Sequence, residues 1–162
     1  LLPVLAKQQL QTSGGGFGLM LGAIGLGAVI AGIPFSMWRH RISPELVLAS
    51  GTLVFAAGIW GAARVHTLTH ALWLLLPMGA AWIGVMTTLN VAAQSAIPNR
   101  IRARVLSLYQ LTFNLGFALA SSLWGDAAAR FGLVSSLTVC AAAVALSAAS
   151  AMIWPVVRAR AE

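Results

Sequence analysis

The chain consists of long apolar stretches separated by short polar gaps, and this pattern restricts its fold more than any motif does. Of its 162 residues, 59% are hydrophobic and only 8% are charged. Soluble domains average about 45 to 50% apolar and about 25% charged residues. A helix of about 20 apolar residues crosses the hydrocarbon core of a bilayer. The sequence therefore predicts an all-α, polytopic transmembrane helix bundle.

The polar gaps divide the chain into five complete predicted spans within a single membrane domain, residues 1–162. Residues 1–6 resemble the end of a sixth span, so we expect the chain to be part of a longer protein. Ser43 and Pro44 predict a helix start, with Ser43 as N-cap and Pro44 at the first helical position. The predicted spans are residues 17–38, 45–63, 71–97, 105–128 and 133–157.

The basic residues are divided unequally between the two sides of the predicted bundle. Successive gaps must alternate sides, and on this count seven of the ten Lys and Arg residues share one side. Cytoplasmic loops of membrane proteins are enriched in Lys and Arg. This side, and with it the C-terminus, is therefore predicted to be cytoplasmic. Five of its residues form a predicted cytoplasmic anchor or gate: Arg39, Arg41, Arg100, Arg102 and Arg104.

Two of the predicted spans carry a stripe of polar side chains at helical spacings of three and four, which place them on one face. Lipid offers amides no hydrogen-bond partner, so these faces should meet protein or water. Two explanations stay open: a substrate path, or hydrogen bonds between helices that hold the bundle together. The third span carries Thr87, Asn90 and Gln94, with Trp82 on the flank, and the fourth carries Gln110, Asn114, Phe117 and Ser121.

Small residues also line up on two spans, and such stripes allow helices to approach each other closely in membranes. We predict a helix-packing role for them and assign them no ligand. They are Gly18, Gly22, Gly25 and Gly32 in the first span, and Gly116 and Ala120 in the fourth.

The sequence contains no arrangement typical of an enzyme, which would need a nucleophile with a base, paired carboxylates or clustered ligands. Its three acidic residues, Glu45, Asp126 and Glu162, lie near span ends or at the terminus. His66 and His70 are four residues apart, but without a third ligand nearby we interpret them as loop residues rather than metal ligands. We predict no catalytic residue, no cofactor and no metal. Since the basic residues lie in gaps, we also predict no nucleic-acid partner.

The run PNRIRARVLSLYQLTFNLGFALASSLWG, residues 98–125, resembles the connection between the tenth and eleventh helices, and the eleventh helix itself, of major facilitator superfamily transporters. It is most similar to the branch with enterobactin exporters and macrolide-efflux-like proteins, in which Arg-Gly-Arg follows a proline and Leu-Trp-Gly comes later. Pro98, Arg102, Arg104 and Trp124 match, whereas Ala103 stands where that branch has glycine. LLPVLAKQQL and GAAWIGVMTTLN resemble parts of helices seven and ten.

The resemblance implies the second half of a major facilitator fold, from the end of helix seven to helix twelve. Such transporters have two six-helix halves around a central cavity. By this resemblance, helices seven, eight, ten and eleven face the cavity or the other half, and helices nine and twelve face lipid.

The function predicted from this resemblance is secondary active transport by alternating access, with efflux of a small amphipathic molecule, drug or siderophore across a bacterial inner membrane. The expected partners are the lipid bilayer, an N-terminal six-helix half and the small-molecule substrate. No acidic residue lies at mid-depth, so a coupling carboxylate is expected in the other half. The alternative is a non-transporting receptor or assembly subunit built on the same fold.

Overall fold

The computed structural model describes residues 2–10, 14–38 and 41–153 of the chain. Within these ranges the chain forms helices and no strand. A short helix, α1 (Leu2–Val4), runs into a π-helical turn at Leu5–Gln9. Five longer helices follow: α2 (Gly14–Trp38), α3 (Pro44–Ala62), α4 (Leu68–Ala96), α5 (Arg102–Phe131) and α6 (Leu133–Ile153).

Each of the five predicted spans coincides with one of the longer helices, within a few residues at either end. Three helices are long and apolar enough to cross a membrane, at Gly14–Met37, Pro44–Ala62 and Leu68–Ala96. Helix α5 is also long enough to cross a membrane, but its amide and hydroxyl side chains make it more polar than these three helices. The apolar part of α6, Leu133–Ala149, is shorter than the other three. A spanning role for α5 and α6 therefore stays a prediction, and the last residues of the predicted fifth span lie outside the described ranges.

The helix ends have identifiable local causes. The predicted start of α3 is confirmed, because the Ser43 side chain accepts a hydrogen bond from the Leu46 N–H at 3.4 Å and Pro44 occupies the first turn. Helix α5 ends at Gly132, whose φ of 83° is readily adopted by glycine. This conformation lets α6 begin at the next residue.

The core of the bundle lies toward one end, where α3 finishes and α4 begins. Helix α2 packs along α4, α3 lies between α4 and α6, and α5 packs mainly on α6. The Met20 side chain is fully buried at this end. The buried cluster also includes residues of the N-terminal segment and of three other helices: Leu5, Ala6, Ala62, Ala63, Leu75, Met78, Leu133 and Leu137.

The closest helix crossing joins α2 and α4 at two glycines. A Cβ atom at Gly27 would overlap the Leu76 carbonyl oxygen, and one at Gly79 would overlap the Ile24 carbonyl oxygen. Each helix thus lays its backbone against the other, which only a residue without a side chain permits. The buried face of α2 accordingly carries small residues and one methionine: Gly16, Met20, Ala23 and Gly27.

The glycine stripe predicted from the sequence lies on the opposite face of α2. No heavy atom of the described chain lies within 4 Å of a Cβ built at Gly18, Gly22 or Gly25, and at Gly32 the nearest is Ile83 Cγ1 at 4.0 Å. On α5, Gly116 likewise has open space around it and Ala120 is exposed. These stripes therefore do not pack the described helices tightly together. Their packing against another protein surface stays a prediction.

Candidate functional site

The polar stripe of α5 lies on the surface of the described bundle. Gln110, Asn114, Phe117 and Ser121 are all exposed, and α5 has no buried residue along its length. The Asn114 side chain donates a hydrogen bond to the Gln110 carbonyl oxygen at 2.8 Å. The Phe117 ring stacks on Phe113 with 6.5 Å between ring centroids. Both contacts lie within α5, so the stripe makes no tight contact with another described helix.

The polar stripe of α4 is less open. Thr87 and Asn90 are half-buried, and Gln94 near the end of the helix is exposed. Within the described ranges their side chains make no hydrogen bond. Thr88, on a different face of the helix, donates instead to the Gly84 carbonyl oxygen at 2.8 Å. The amide of Asn90 therefore has no hydrogen-bond partner among the described residues.

One amide of each stripe lies at a similar distance along its helix from the connection between α4 and α5. Asn90 precedes the end of α4 by six residues, and Gln110 follows the start of α5 by eight. At about 1.5 Å per residue, these amides lie about 9 and 12 Å from the connection between the helices. The two helices touch each other only weakly. Asn90 and Gln110 are thus similarly far from the connection, and no hydrogen bond joins them within the described residues.

The pattern of side-chain hydrogen bonds bears on the two explanations of the stripes. In the described parts of α4 and α5, these bonds join partners three to five positions apart in the chain, as with Thr112 and the Leu108 carbonyl oxygen at 2.9 Å. None of them links two of the longer helices through their polar stripes. Hydrogen bonding between helices therefore does not account for the amides of α4 and α5 in this part of the chain.

Trp82 does not share a surface with the polar stripe of α4. Its half-buried ring packs on Phe55 of α3, with 5.9 Å between ring centroids. It also lines a small apolar cavity of about 110 Å³, together with Val144 of α6. The ring therefore points toward α3 and α6, and its predicted role beside a substrate path gains no support from these contacts.

The predicted arginine anchor lies at the end of the bundle away from the core. Arg41, Arg100, Arg102 and Arg104 are exposed, and Arg39 lies outside the described residues. The Arg102 guanidinium donates a hydrogen bond to the Ile97 carbonyl oxygen at 3.5 Å. Ile97 is the C-cap of α4, where a cation is favourable because carbonyl groups there lack helical partners. Arg102 thus ties the α4 end to the α5 start.

Charged and imidazole groups at the opposite end make local contacts. The Arg64 guanidinium lies over the Trp60 ring at 3.7 Å and donates to the Trp60 carbonyl oxygen at 3.2 Å. The Nδ1 atom of His70 is 2.5 Å from the Thr67 hydroxyl at the start of α4, and His66 is exposed. In the described ranges, no three His, Cys, Asp or Glu side chains group together as metal ligands.

Sequence reasoning missed the glycine crossing and an apolar groove beside it. Ala23 and Gly27 are four residues apart on one face, a spacing that could have marked the buried side of α2. The groove has a volume of about 560 Å³ and lies between α2, α3 and α4. No local motif marks the groove, because it depends on how three helices diverge.

Comparison with protein families gives one result, and it covers the whole chain. The model of the transmembrane secretion effector family, which belongs to the major facilitator superfamily, matches residues 1–162. Searches of curated proteins and of solved structures find no match. The apolar helices and the family together identify a multi-pass membrane protein. The chain belongs to the transmembrane secretion effector family of the major facilitator superfamily.

Proposed function

We propose that this chain is half of a secondary active transporter that exports a small amphipathic molecule by alternating access. The observation that carries this proposal is the state of the amide side chains on α4 and α5. Within the described residues they make no hydrogen bond between helices, and we propose that they lie at membrane depth. Amides in that position require water, substrate or another protein surface.

The chemistry of the two stripes supports the choice of substrate class. Their polar members are uncharged amides and hydroxyls, and Phe117 adds an exposed aromatic ring with 61% of its surface accessible. Such a surface suits a molecule that has both hydrogen-bonding groups and apolar area, and it offers no ionised partner to a strongly charged one. Thr87, Asn90, Gln94, Gln110 and Asn114 would provide polar contacts, and Phe117 an apolar one. We assign no catalytic residue.

The other half of the transporter would cover the faces that the described helices leave open. Transporters of this superfamily bind substrate near the midplane between two six-helix halves. The glycine face of α2 and the exposed surface of α5 are candidates for that contact. We propose that the arginine end of the bundle is cytoplasmic in a bacterial inner membrane, since seven of the ten basic residues belong to that side.

Transport by amide-substituted variants tests the proposal. We expect the double variant Asn90→Leu with Asn114→Leu to lower efflux of a fluorescent amphipathic dye from membrane vesicles about tenfold, since about 1.4 kcal/mol of lost contact energy corresponds to that factor. The matched control is Thr88→Val with Thr112→Val, which removes hydroxyls that bond their own helices on other faces. The control variant should export the dye at a rate within about twofold of that of the unmodified protein, which is much less than the tenfold loss expected for the leucine variant.

The outcome that contradicts the proposal is equally defined. If the double leucine variant exports the dye as the unmodified protein does, the amides are not in the transport path. If the unmodified protein moves none of a panel of amphipathic dyes, while the same vesicles hold an ion gradient, the export of this substrate class is refuted. A receptor or assembly subunit on the same fold would then be the better explanation.

A further inference from the structure

The groove between α2, α3 and α4 shares no lining residue with the polar stripes and has a different character. It is lined almost entirely by apolar side chains, among them Phe35, Leu46, Val54 and Pro77. Its one polar side chain is Ser50, whose hydroxyl already donates to the Leu46 carbonyl oxygen at 2.6 Å. The described groove lining therefore offers a ligand no free side-chain hydrogen-bond donor.

The dimensions of the groove match part of one membrane leaflet. Along α3 its lining extends from Leu46 to Val54, and along α4 from Pro77 to Gly84. Eight residues of helix rise about 12 Å, and half of a hydrocarbon core measures about 15 Å. The volume of about 560 Å³ is also that of a site for a small molecule rather than for a solvent molecule.

The open face of the groove is suited to lipid. Leu46 exposes 60% of its surface and Val54 exposes 40%, both on a helix long and apolar enough to span the membrane. An exposed apolar groove on a membrane helix contacts acyl chains wherever no protein covers it, because lipid tails are as apolar as the side chains that line it.

A basic residue adjoins the groove lining in the sequence. Ile42 lines the groove, and the residue before it, Arg41, is exposed and forms no ion pair within the described ranges. The described acid nearest to it in the sequence, Glu45, lies in the first turn of α3, where the positive end of the helix dipole favours a carboxylate. Arg41 is therefore available to the phosphate of a lipid whose acyl chain fills the groove.

We propose that this groove is a phospholipid site: one acyl chain lies between α2, α3 and α4, and the phosphate of the same lipid pairs with Arg41. The site is separate from the proposed transport path on α4 and α5, because its lining residues share none with the polar stripes. Its occupancy does not depend on whether the protein transports a dye.

Native mass spectrometry of the full-length protein, released from phosphatidylcholine vesicles into detergent, tests this directly. We expect the unmodified protein to retain one phospholipid per chain. Ser50→Phe, which places a ring in the groove, should lower retention at least fivefold, and Arg41→Gln should lower it about two- to threefold. The control Leu53→Phe substitutes a residue of α3 that is 51% exposed and does not line the groove, so it should retain lipid like the unmodified protein. Equal retention by the unmodified protein and by Ser50→Phe would overturn the proposal.

A second measurement identifies the occupant in case Ser50→Phe folds poorly. Ser50→Cys and Leu53→Cys, each in a Cys140→Ala background, are labelled with a small fluorophore and placed in vesicles of phosphatidylcholine with brominated acyl chains. We expect both labels to be quenched. If only the Leu53→Cys label is quenched, protein covers the groove and the proposal fails. If a cationic amphipathic dye relieves quenching at Ser50→Cys alone, the groove takes transport substrate instead, and the proposal fails in that case too.

Discussion

Small residues occur both at the contact between α2 and α4 and on the surface of α5, but only the first of these regions is packed against another described helix. At the first, Gly27 and Gly79 bring two backbones against each other, and the adjoining side chains are buried. Along the second, Gly116 has open space around it and no residue is buried. Small residues therefore mark a possible helix contact in a membrane, and the position of the partner decides whether that contact forms.

The two regions also differ in polarity: the packed region is apolar and the exposed region is polar. At the glycine crossing, Gly27 and Gly79 meet the backbones of Leu76 and Ile24, and none of these four residues has a polar side chain. The α5 surface presents Gln110 and Asn114 to whatever lies beside it. A packed apolar contact fixes the arrangement of α2 and α4, whereas a polar open face is suited to a changing partner such as water or substrate.

The largest effect is expected at the glycine crossing. Gly27→Ala or Gly79→Ala would place a methyl group on a backbone carbonyl of the other helix, and overpacking of this kind costs about 1 to 3 kcal/mol, occasionally more. Either variant should lower the melting temperature in detergent, measured by loss of the monodisperse peak in size-exclusion chromatography.

Gly116→Ala is the matched control for this effect, since it adds the same methyl group to open space on α5. It should leave the melting temperature unchanged or slightly raised, because alanine favours a helix over glycine by about 0.8 to 1.0 kcal/mol. Equal destabilisation by Gly116→Ala and Gly79→Ala would show that α5 is packed as tightly as α4, and the comparison would fail.

A smaller effect is expected where the helices begin. Helix α3 starts with the Ser43 cap, while α5 starts at Ile101 with no side-chain cap. Ser43→Ala should lower the free energy of unfolding by about 0.5 to 1 kcal/mol, toward the small end because the 3.4 Å bond is long. Ile101→Ala removes no cap and should change stability by less than about 0.5 kcal/mol. Denaturant titration followed by circular dichroism distinguishes the two variants, and an equal cost for both would refute the role of the Ser43 cap.

Much of this fold could be predicted from the sequence because membrane helices leave simple patterns. Apolar length located all five helices, and the serine-proline pair located the start of α3. The sequence analysis selected Gly18, Gly22 and Gly25, which form the more regular stripe, and their packing role stays a prediction. The face of α2 that α4 covers combines Gly27 with Ala23 and Met20. Regular spacing of small residues shows that a helix face lacks large side chains. Only the position of α4 determines which of these faces is packed.

The candidate site could be predicted only in part for a related reason. Helical spacing correctly grouped the amides of each stripe, since that depends on a single helix. It could not show that Trp82 packs on Phe55, nor that three diverging helices enclose an apolar groove. Both features depend on contacts between side chains of different helices, for which the sequence carries no local pattern.

The central claim is that the amide faces of α4 and α5 meet a water-filled path. Its most direct test is the reaction of Asn90→Cys and Asn114→Cys, each in a Cys140→Ala background, with a membrane-impermeant thiol reagent in intact membranes. Leu119→Cys, on the opposite face of α5, is the control. We predict that both former asparagine positions react at least ten times faster than position 119. Reaction no faster than at position 119, together with quenching of labels at these positions by brominated lipid, would place the amides in lipid and contradict the account.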